Sequence, residues 1–335
     1  MGSGRGGLEP ALTFEADPAL KLSMLVARYD RNAALLDGHV PVEGIDLEVH
    51  EENNDRARQQ LGLTGSYDVW EGYAGRYLMD VDAGRRTFSA IPVFPKRTFR
   101  HSSIYVRRGG PVHSPGDLTG RRVGLQHWAT TAALWARAVL AEESGVDLGS
   151  VEWVQTSPDV PRWTRPPWLR LEQARPDADL ATMLLSGEVD AAITSEAWVP
   201  YEHPEFDFLF PDYGALEREY FARTRVFPIM HLLLVRTSLL DADPSLARRL
   251  FDAWTASKLA CLDRFRRDRL LLTSMWFHAL LQEERAAAGS DDTYPWGFVR
   301  CRHEIATLLD HALAQGLIAT PMRPEDVFHP SSLAT

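Results

Sequence analysis

The sequence predicts a two-lobed α/β protein with mixed sheets flanked by helices and a central cleft. Three observations carry that expectation. Short apolar runs alternate with helix-like stretches through the first hundred residues, the order expected of β–α units. Near residue 110 a turn cluster, Gly109-Gly110-Pro111 and then Ser114-Pro115-Gly116-Asp117-Leu118, opens a second series of the same kind. At Phe227 the chain returns to a continuous apolar run and is then helical almost to its end. A first lobe from 20–106 plus 227–335, with a second lobe from 107–226 inserted in it, accounts for this order. Residues 1–19 read as a flexible tail. Two crossovers leave a cleft between the lobes, a favoured place for ligands.

Each element follows from its pattern. Leu22–Ala27, Ile45–Val49, Tyr67–Trp70, Phe88–Val93, Ser103–Val106 and Arg122–Leu125 are compact apolar runs and read as strands. Ala33–Leu36, Asp55–Leu61 and Ala74–Asp82 lie between them as helices. Thr130–Glu143 carries apolar residues at helical spacing through Ala132, Leu134, Trp135, Ala138 and Val139. Val151–Val154 is a strand, the Pro-rich stretch 158–167 a loop, Leu180–Leu185 a helix ended by Ser186-Gly187, and Val189–Thr194 a strand. Helices are expected at Pro244–Leu259, Leu270–Glu284 and His303–Gln315.

Composition narrows the function classes. The 335 residues hold 36 Lys+Arg against 46 Asp+Glu, a formal net charge of −10. This acidic balance gives no general attraction to nucleic acid or anionic membrane, so neither is an expected partner. Apolar residues make up 45%, as in an ordinary globular chain. No window approaches the ~20 apolar residues of a membrane span. The Gly-rich start, Gly2 to Gly7, lacks the apolar core of an export signal. The two cysteines, Cys261 and Cys301, form no CxxC pair. The expectation is a cytoplasmic protein with reduced cysteines.

Several segments in combination resemble the 4,5-dihydroxyphthalate decarboxylase family. They are Ile91-Pro92-Val93-Phe94-Pro95-Lys96-Arg97-Thr98-Phe99-Arg100-His101-Ser102-Ser103-Ile104-Tyr105-Val106, Tyr29-Asp30-Arg31 with Gly38 and Pro41-Val42-Glu43-Gly44, Phe210-Pro211-Asp212-Tyr213 with Glu217 to Tyr220, and Phe227-Pro228-Ile229-Met230-His231. The resemblance runs from about Leu22 to Phe328 and implies a type 2 periplasmic-binding-protein-like fold. One segment departs from the family: where it carries a Pro-Glu-Tyr type turn after Gly124, this sequence has Gln126-His127-Trp128-Ala129-Thr130-Thr131.

The candidate site residues sit at strand ends and helix starts. His101 and His231 belong to family-like motifs near the crossovers, and His127 occupies the departing turn. An imidazole is suited to proton transfer near neutral pH. Glu71, after Tyr67-Asp68-Val69-Trp70, and Glu196, after Ala192-Ile193-Thr194-Ser195, are carboxylates at strand ends. Arg31, Arg97 and Arg100 offer planar guanidinium groups for a substrate carboxylate, with Ser102 beside them. Thr130 and Thr131 offer hydroxyls at a helix start, where backbone N–H groups favour anions. Trp128, Trp198 and Tyr73 are ring-stacking candidates. Each has an ordinary structural alternative: core packing, helix capping or surface ion pairing.

The resemblance implies a carbon–carbon lyase that decarboxylates a hydroxylated aromatic dicarboxylic acid without a cofactor. In such chemistry a base, Glu71 or His127, takes a proton from a phenol. An acid, His101 or His231, protonates the ring carbon, while Arg31 or Arg97 anchors the other carboxylate. No Gly-x-Gly-x-x-Gly or P-loop motif is present, and no HxH or HExxH spacing supports a metal site. The rival readings are another ring-acid lyase or dehydratase, a natural-product tailoring enzyme, and a small-molecule binding protein without catalysis. The C-terminal helices with Trp254, Trp276 and Phe277 serve either as core or as a homo-oligomer interface.

Overall fold

A computed structural model of the chain describes residues 19–194 and 203–335. The first series is β1 (Leu20–Val26), α1 (Ala33–Leu36), β2 (Ile45–Glu51), α2 (Asp55–Leu63), β3 (Val69–Tyr73), α3 (Ala74–Asp82) and β4 (Phe88–Ile91). The second is β5 (Ile104–Arg107), β6 (Arg122–Leu125), α4 (Thr131–Ala138), β7 (Glu152–Gln155), β8 (Leu171–Gln173), α5 (Leu180–Ser186), β9 (Ala191–Ile193), β10 (Phe206–Phe208) and α6 (Tyr213–Thr224). The chain then adds β11 (His231–Arg236) and the helices α7 (Thr237–Ala242), α8 (Ser245–Arg267), α9 (Phe277–Ala288), α10 (Arg302–Ala314) and α11 (Pro324–Val327).

These strands form two mixed sheets, ordered β2-β1-β3-β11-β4 and β10-β5-β9-β6-β7-β8. In the first, β1 runs parallel to β2 and β3, while β11 is antiparallel to both β3 and β4. The second repeats the plan: β6 is parallel to β7 and β9, and β5 is antiparallel to β9 and β10. In the first sheet the late strand β11 stands between β3 and β4, and in the second the early strand β5 stands between β9 and β10. The topology thus repeats where the sequence shows no repeat.

Local chemistry explains the boundaries. Asn54 starts α2 by accepting from the N–H of Ala57 at 2.9 Å, with Asp55 in the first turn. Asp179 caps α5 in the same way, and Gly187 ends it at φ +77°, a conformation that favours glycine. The Phe227–Val235 run does not become strand throughout. Pro228 offers no N–H, and Ile229 makes only an isolated bridge with Arg97, so β11 begins at His231. Residues 104–106, expected in the first lobe, hydrogen-bond within the second sheet. The expected helix Leu270–Glu284 starts only at Phe277, after a short 3-10 turn at Arg269–Leu271. Strands β8 and β10 escape a pattern reading because three residues carry no period.

One apolar cluster runs through both sheets, from Met24 and Leu78 to Val123, Trp153 and Trp254. Trp254 is fully buried and so belongs to the core rather than to an interface. Cys261 and Cys301 are buried and free. No helix among the described residues is long and apolar enough to cross a membrane.

Candidate active site

The site is built on one face of the first sheet. On β3 and β11, Tyr73 stands opposite His231 and Glu71 opposite Leu233. His231 is therefore the diagonal neighbour of Glu71 on the same face, within reach of a side-chain contact. Its Nδ1 lies 2.5 Å from Oε1 of Glu71. The Glu71 carboxylate also accepts from the hydroxyl of Tyr29 at 2.7 Å, from the N–H of Ala27 at 3.1 Å and from Arg58 at 3.2 Å. Arg58 and Asp55 arrive from the start of α2 and pair with each other at 2.6 Å. Lys96 also pairs with Asp55, whose Oδ2 lies 4.0 Å from Nε2 of His231.

Electrostatics give each group a state. Burial would raise the Glu71 carboxyl, but the Arg58 guanidinium and the His231 hydrogen bond outweigh it and hold it at about 2. Burial raises the Asp55 carboxyl as well, and His231 when protonated, with Lys96 and Arg58 throughout, overcomes this and holds it ionised. Burial lowers His231, against the pull of Glu71 and Asp55. A neutral imidazole that donates from Nδ1 to Glu71 leaves the Nε2 lone pair on the Asp55 side. Tyr29 is held protonated by burial and by the Glu71 charge.

The dyad faces a narrow cavity of about 10 Å³ lined by Asp55, Tyr73, Arg100, Thr130, Thr131 and His231. The far wall is the start of α4, whose first-turn N–H groups have no acceptor within the helix. Thr131 Oγ1 accepts from the N–H of Gly75 at 3.0 Å, fastening α3 to α4. Gly75 has to be glycine because a Cβ there would meet the Ala129 carbonyl at 2.6 Å. Arg100 is buried, touching Met230 Sδ at 3.1 Å and Ser103 Oγ at 3.3 Å. Burial lowers its pKa to about 10, with Asp55 and Glu217 opposing, so it is a cation at neutral pH. It forms no direct ion pair among the described residues. A larger groove of about 570 Å³ lies beside β10, away from the dyad.

Of the residues expected from sequence, Glu71, Tyr73, His231, Arg100, Thr130 and Thr131 meet at or just behind this cavity. The others are placed elsewhere. Glu196 and Trp198 lie outside the described residues. His101 packs on the rings of Phe210 and Tyr220, and neither ring nitrogen has a partner. His127 accepts from the N–H of Ala129 and bonds the backbone of Pro158, and burial lowers it to about 4. It is a turn-forming, neutral imidazole with both nitrogens engaged. Arg97 is spent on the carbonyls of Phe227 and Pro295 and on Glu304 at 2.9 Å. Arg31 donates to the Pro95 carbonyl and lies between the rings of Tyr29 and Tyr294. Trp128 is core, with Arg137 stacked 3.6 Å from its ring centre. Ser102 donates its backbone N–H to Glu217, whose carboxyl burial pushes up to about 7.

Sequence reasoning missed Asp55, Arg58 and the role of Tyr29. Asp55 and Arg58 at i,i+3 on a polar helix resemble a solvated surface pair. The overlooked signal is Tyr29, adjoining the Asp30-Arg31 pair of a quoted motif, because its hydroxyl secures Glu71.

Two sheets with the same strand plan and a charged cleft between them define a type 2 periplasmic-binding-protein fold. Solved structures agree on the fold. The chain is similar to the periplasmic aliphatic sulphonate binding protein SsuA from Escherichia coli, with a TM-score of 0.53 at 14% identity over 93% of this chain and 92% of that one. It is also similar to the alkanesulfonate-binding protein SsuA from Xanthomonas axonopodis pv. citri bound to MOPS, with a TM-score of 0.52 at 16% identity over 94% and 98%. A family model described as NMT1/THI5 like matches residues 37–161. The curated 4,5-dihydroxyphthalate decarboxylase of Comamonas testosteroni is 32% identical over 323 residues, covering 94% of this chain and 98% of the relative. That of Pseudomonas putida is 34% identical over 205 residues, covering 58% and 78%. The chain belongs to the 4,5-dihydroxyphthalate decarboxylase family and is an enzyme of the carbon–carbon lyase class.

Proposed function

We propose that this protein decarboxylates a hydroxylated aromatic dicarboxylic acid of the 4,5-dihydroxyphthalate type, using side chains alone. The observation that carries the reading is the Glu71–His231 hydrogen bond of 2.5 Å beside a cavity lined by the Arg100 guanidinium. Losing CO2 directly from an aryl carboxylate would leave a carbanion in the ring plane. A para hydroxyl provides another route. Nε2 of His231 takes the hydroxyl proton, and ionised Glu71 stabilises the imidazolium formed. The same imidazolium delivers that proton to the ring carbon bearing the carboxylate, giving a dearomatised dienone. The C–C bond then breaks, its electrons restore the ring, and CO2 departs. The resulting phenolate takes a proton from solvent.

The second carboxylate of the substrate is held by Arg100 and by the free N–H groups at the start of α4, both suited to an anion. The cavity is smaller than a substituted ring, so the walls part when a substrate enters. The test is incubation of the purified protein with 4,5-dihydroxyphthalate. The expected result is 3,4-dihydroxybenzoate and CO2 in equal amounts. Binding without turnover overturns the catalytic reading, and absence of any interaction moves the substrate to another ring acid.

A further inference from the structure

The junction of α8 and α9 exposes more large apolar surface than any other stretch of the described residues. Leu270, Leu271, Met275 and Trp276 are 89%, 80%, 86% and 68% exposed, with Leu259 and Leu280 beside them at 52% and 44%. The junction is ordered from within, because Phe265 of α8 packs edge-on against Phe277 of α9 at 5.2 Å. Scattered single apolar residues are normal on a surface, but a concentration of this kind marks an interaction site.

The surrounding charge identifies the occupant. From Lys258 to Asp292 the sequence holds six Lys/Arg and six Asp/Glu, in a chain of net charge −10. Near the end of α8, Arg266 pairs with Asp291 and Arg267 with Asp263 within the chain, and Arg264 remains for a partner, while Glu283 and Glu284 follow on α9. A two-fold axis through the apolar centre sets the Arg end of one copy against the Glu end of the other. Such self-complementarity is what an isologous contact requires. An anionic lipid surface would instead meet a neutral rim on an acidic protein, with no attraction to offset the repulsion.

We propose that this apolar corner, rimmed by Arg264 and Glu283, is the interface through which two copies of the chain form a symmetric dimer. Analytical ultracentrifugation of the full chain tests it. The wild type is expected to sediment at twice the 37.7 kDa chain mass. The Leu271→Glu/Trp276→Glu variant is expected at the single-chain mass with an unchanged far-UV circular dichroism spectrum. Arg264→Glu alone is expected to raise the dimer dissociation constant at least about tenfold, and adding Glu283→Arg is expected to restore it. A wild type that stays monomeric at about 100 µM overturns the proposal. So does a dimer that the double variant leaves intact. A monomer that pellets with phosphatidylcholine/phosphatidylglycerol vesicles assigns the corner to lipid and likewise overturns it.

Discussion

Glu71 and His231 come from strands 160 residues apart in sequence and meet at 2.5 Å on one face of the first sheet. The contact is enforced by register. With Tyr73 opposite His231, a one-residue slip would turn Glu71 to the other face. The bond selects the tautomer that leaves Nε2 toward the cleft.

His231→Gln is expected to lower kcat by ~10²–10⁴-fold, the range for a removed proton-transfer group, while dicarboxylate affinity holds. Steady-state kinetics paired with calorimetric binding of phthalate checks this. An unchanged kcat refutes the role. Glu71→Gln strips the buried Arg58 of a counterion, and urea unfolding should show a loss of about 3–5 kcal/mol.

Arg100 is expected to act on substrate affinity. Arg100→Met should raise KM for a dicarboxylate about 10- to 100-fold, the value of a lost charge-assisted hydrogen bond. Glu217, near it with a carboxyl at about 7, ionises as pH rises through neutrality and then competes for the guanidinium. KM should therefore climb above pH 7, and Glu217→Gln should flatten that climb. A KM independent of pH between 6 and 8.5 in the wild type would contradict the coupling.

Replacing His101 by Phe distinguishes placement from motif membership. Its two unpartnered nitrogens sit among apolar rings, so an apolar side chain of similar shape is expected to preserve activity and leave stability equal or higher. A hundredfold loss of kcat with intact melting behaviour would return His101 to the chemistry.

Stability should decline in mild acid. His127 and His311, held by burial at about 4, bind protons more weakly folded than unfolded. Their contribution is complete above pH 6.5 and is lost as pH falls from 6.5 toward 4. Glu71 adds a second loss, complete above pH 4.5 and removed as pH falls toward 2. Urea midpoints should hold between pH 7.5 and 6.5 and fall from there toward pH 4, and a flat series would count against buried neutral imidazoles.

Much of the architecture was legible because apolar runs punctuated by Gly and Pro leave a local trace. The strands from Ile45, Phe88 and Arg122 start where the pattern places them. Glu71 and His231 were readable for a related reason: each interrupts an apolar strand, where a polar group needs a partner. What was hidden is long-range. Nothing local distinguishes Arg100, facing the cleft, from Arg97, three residues earlier and consumed by the Phe227 and Pro295 carbonyls and Glu304. Asp55 and Arg58 gain their importance only when α2 lands on β3. His127 looked reactive from its position, but the turn it occupies uses both ring nitrogens.

The repeated strand plan has a consequence for how such a protein can diversify. Asp55, Arg58, Glu71 and His231, the groups proposed to move or steady a proton, all lie on strands of the first sheet or on α2 between them. Among the described residues, the loop after β6 brings amides and hydroxyls, from Thr130 to Ala132, to the opposite wall. On the proposed reading, proton transfer is written on one half of the molecule and part of the substrate's contacts on the other. The loop after β6 is free to be rewritten for a differently decorated ring while the proton-handling apparatus stays as it is.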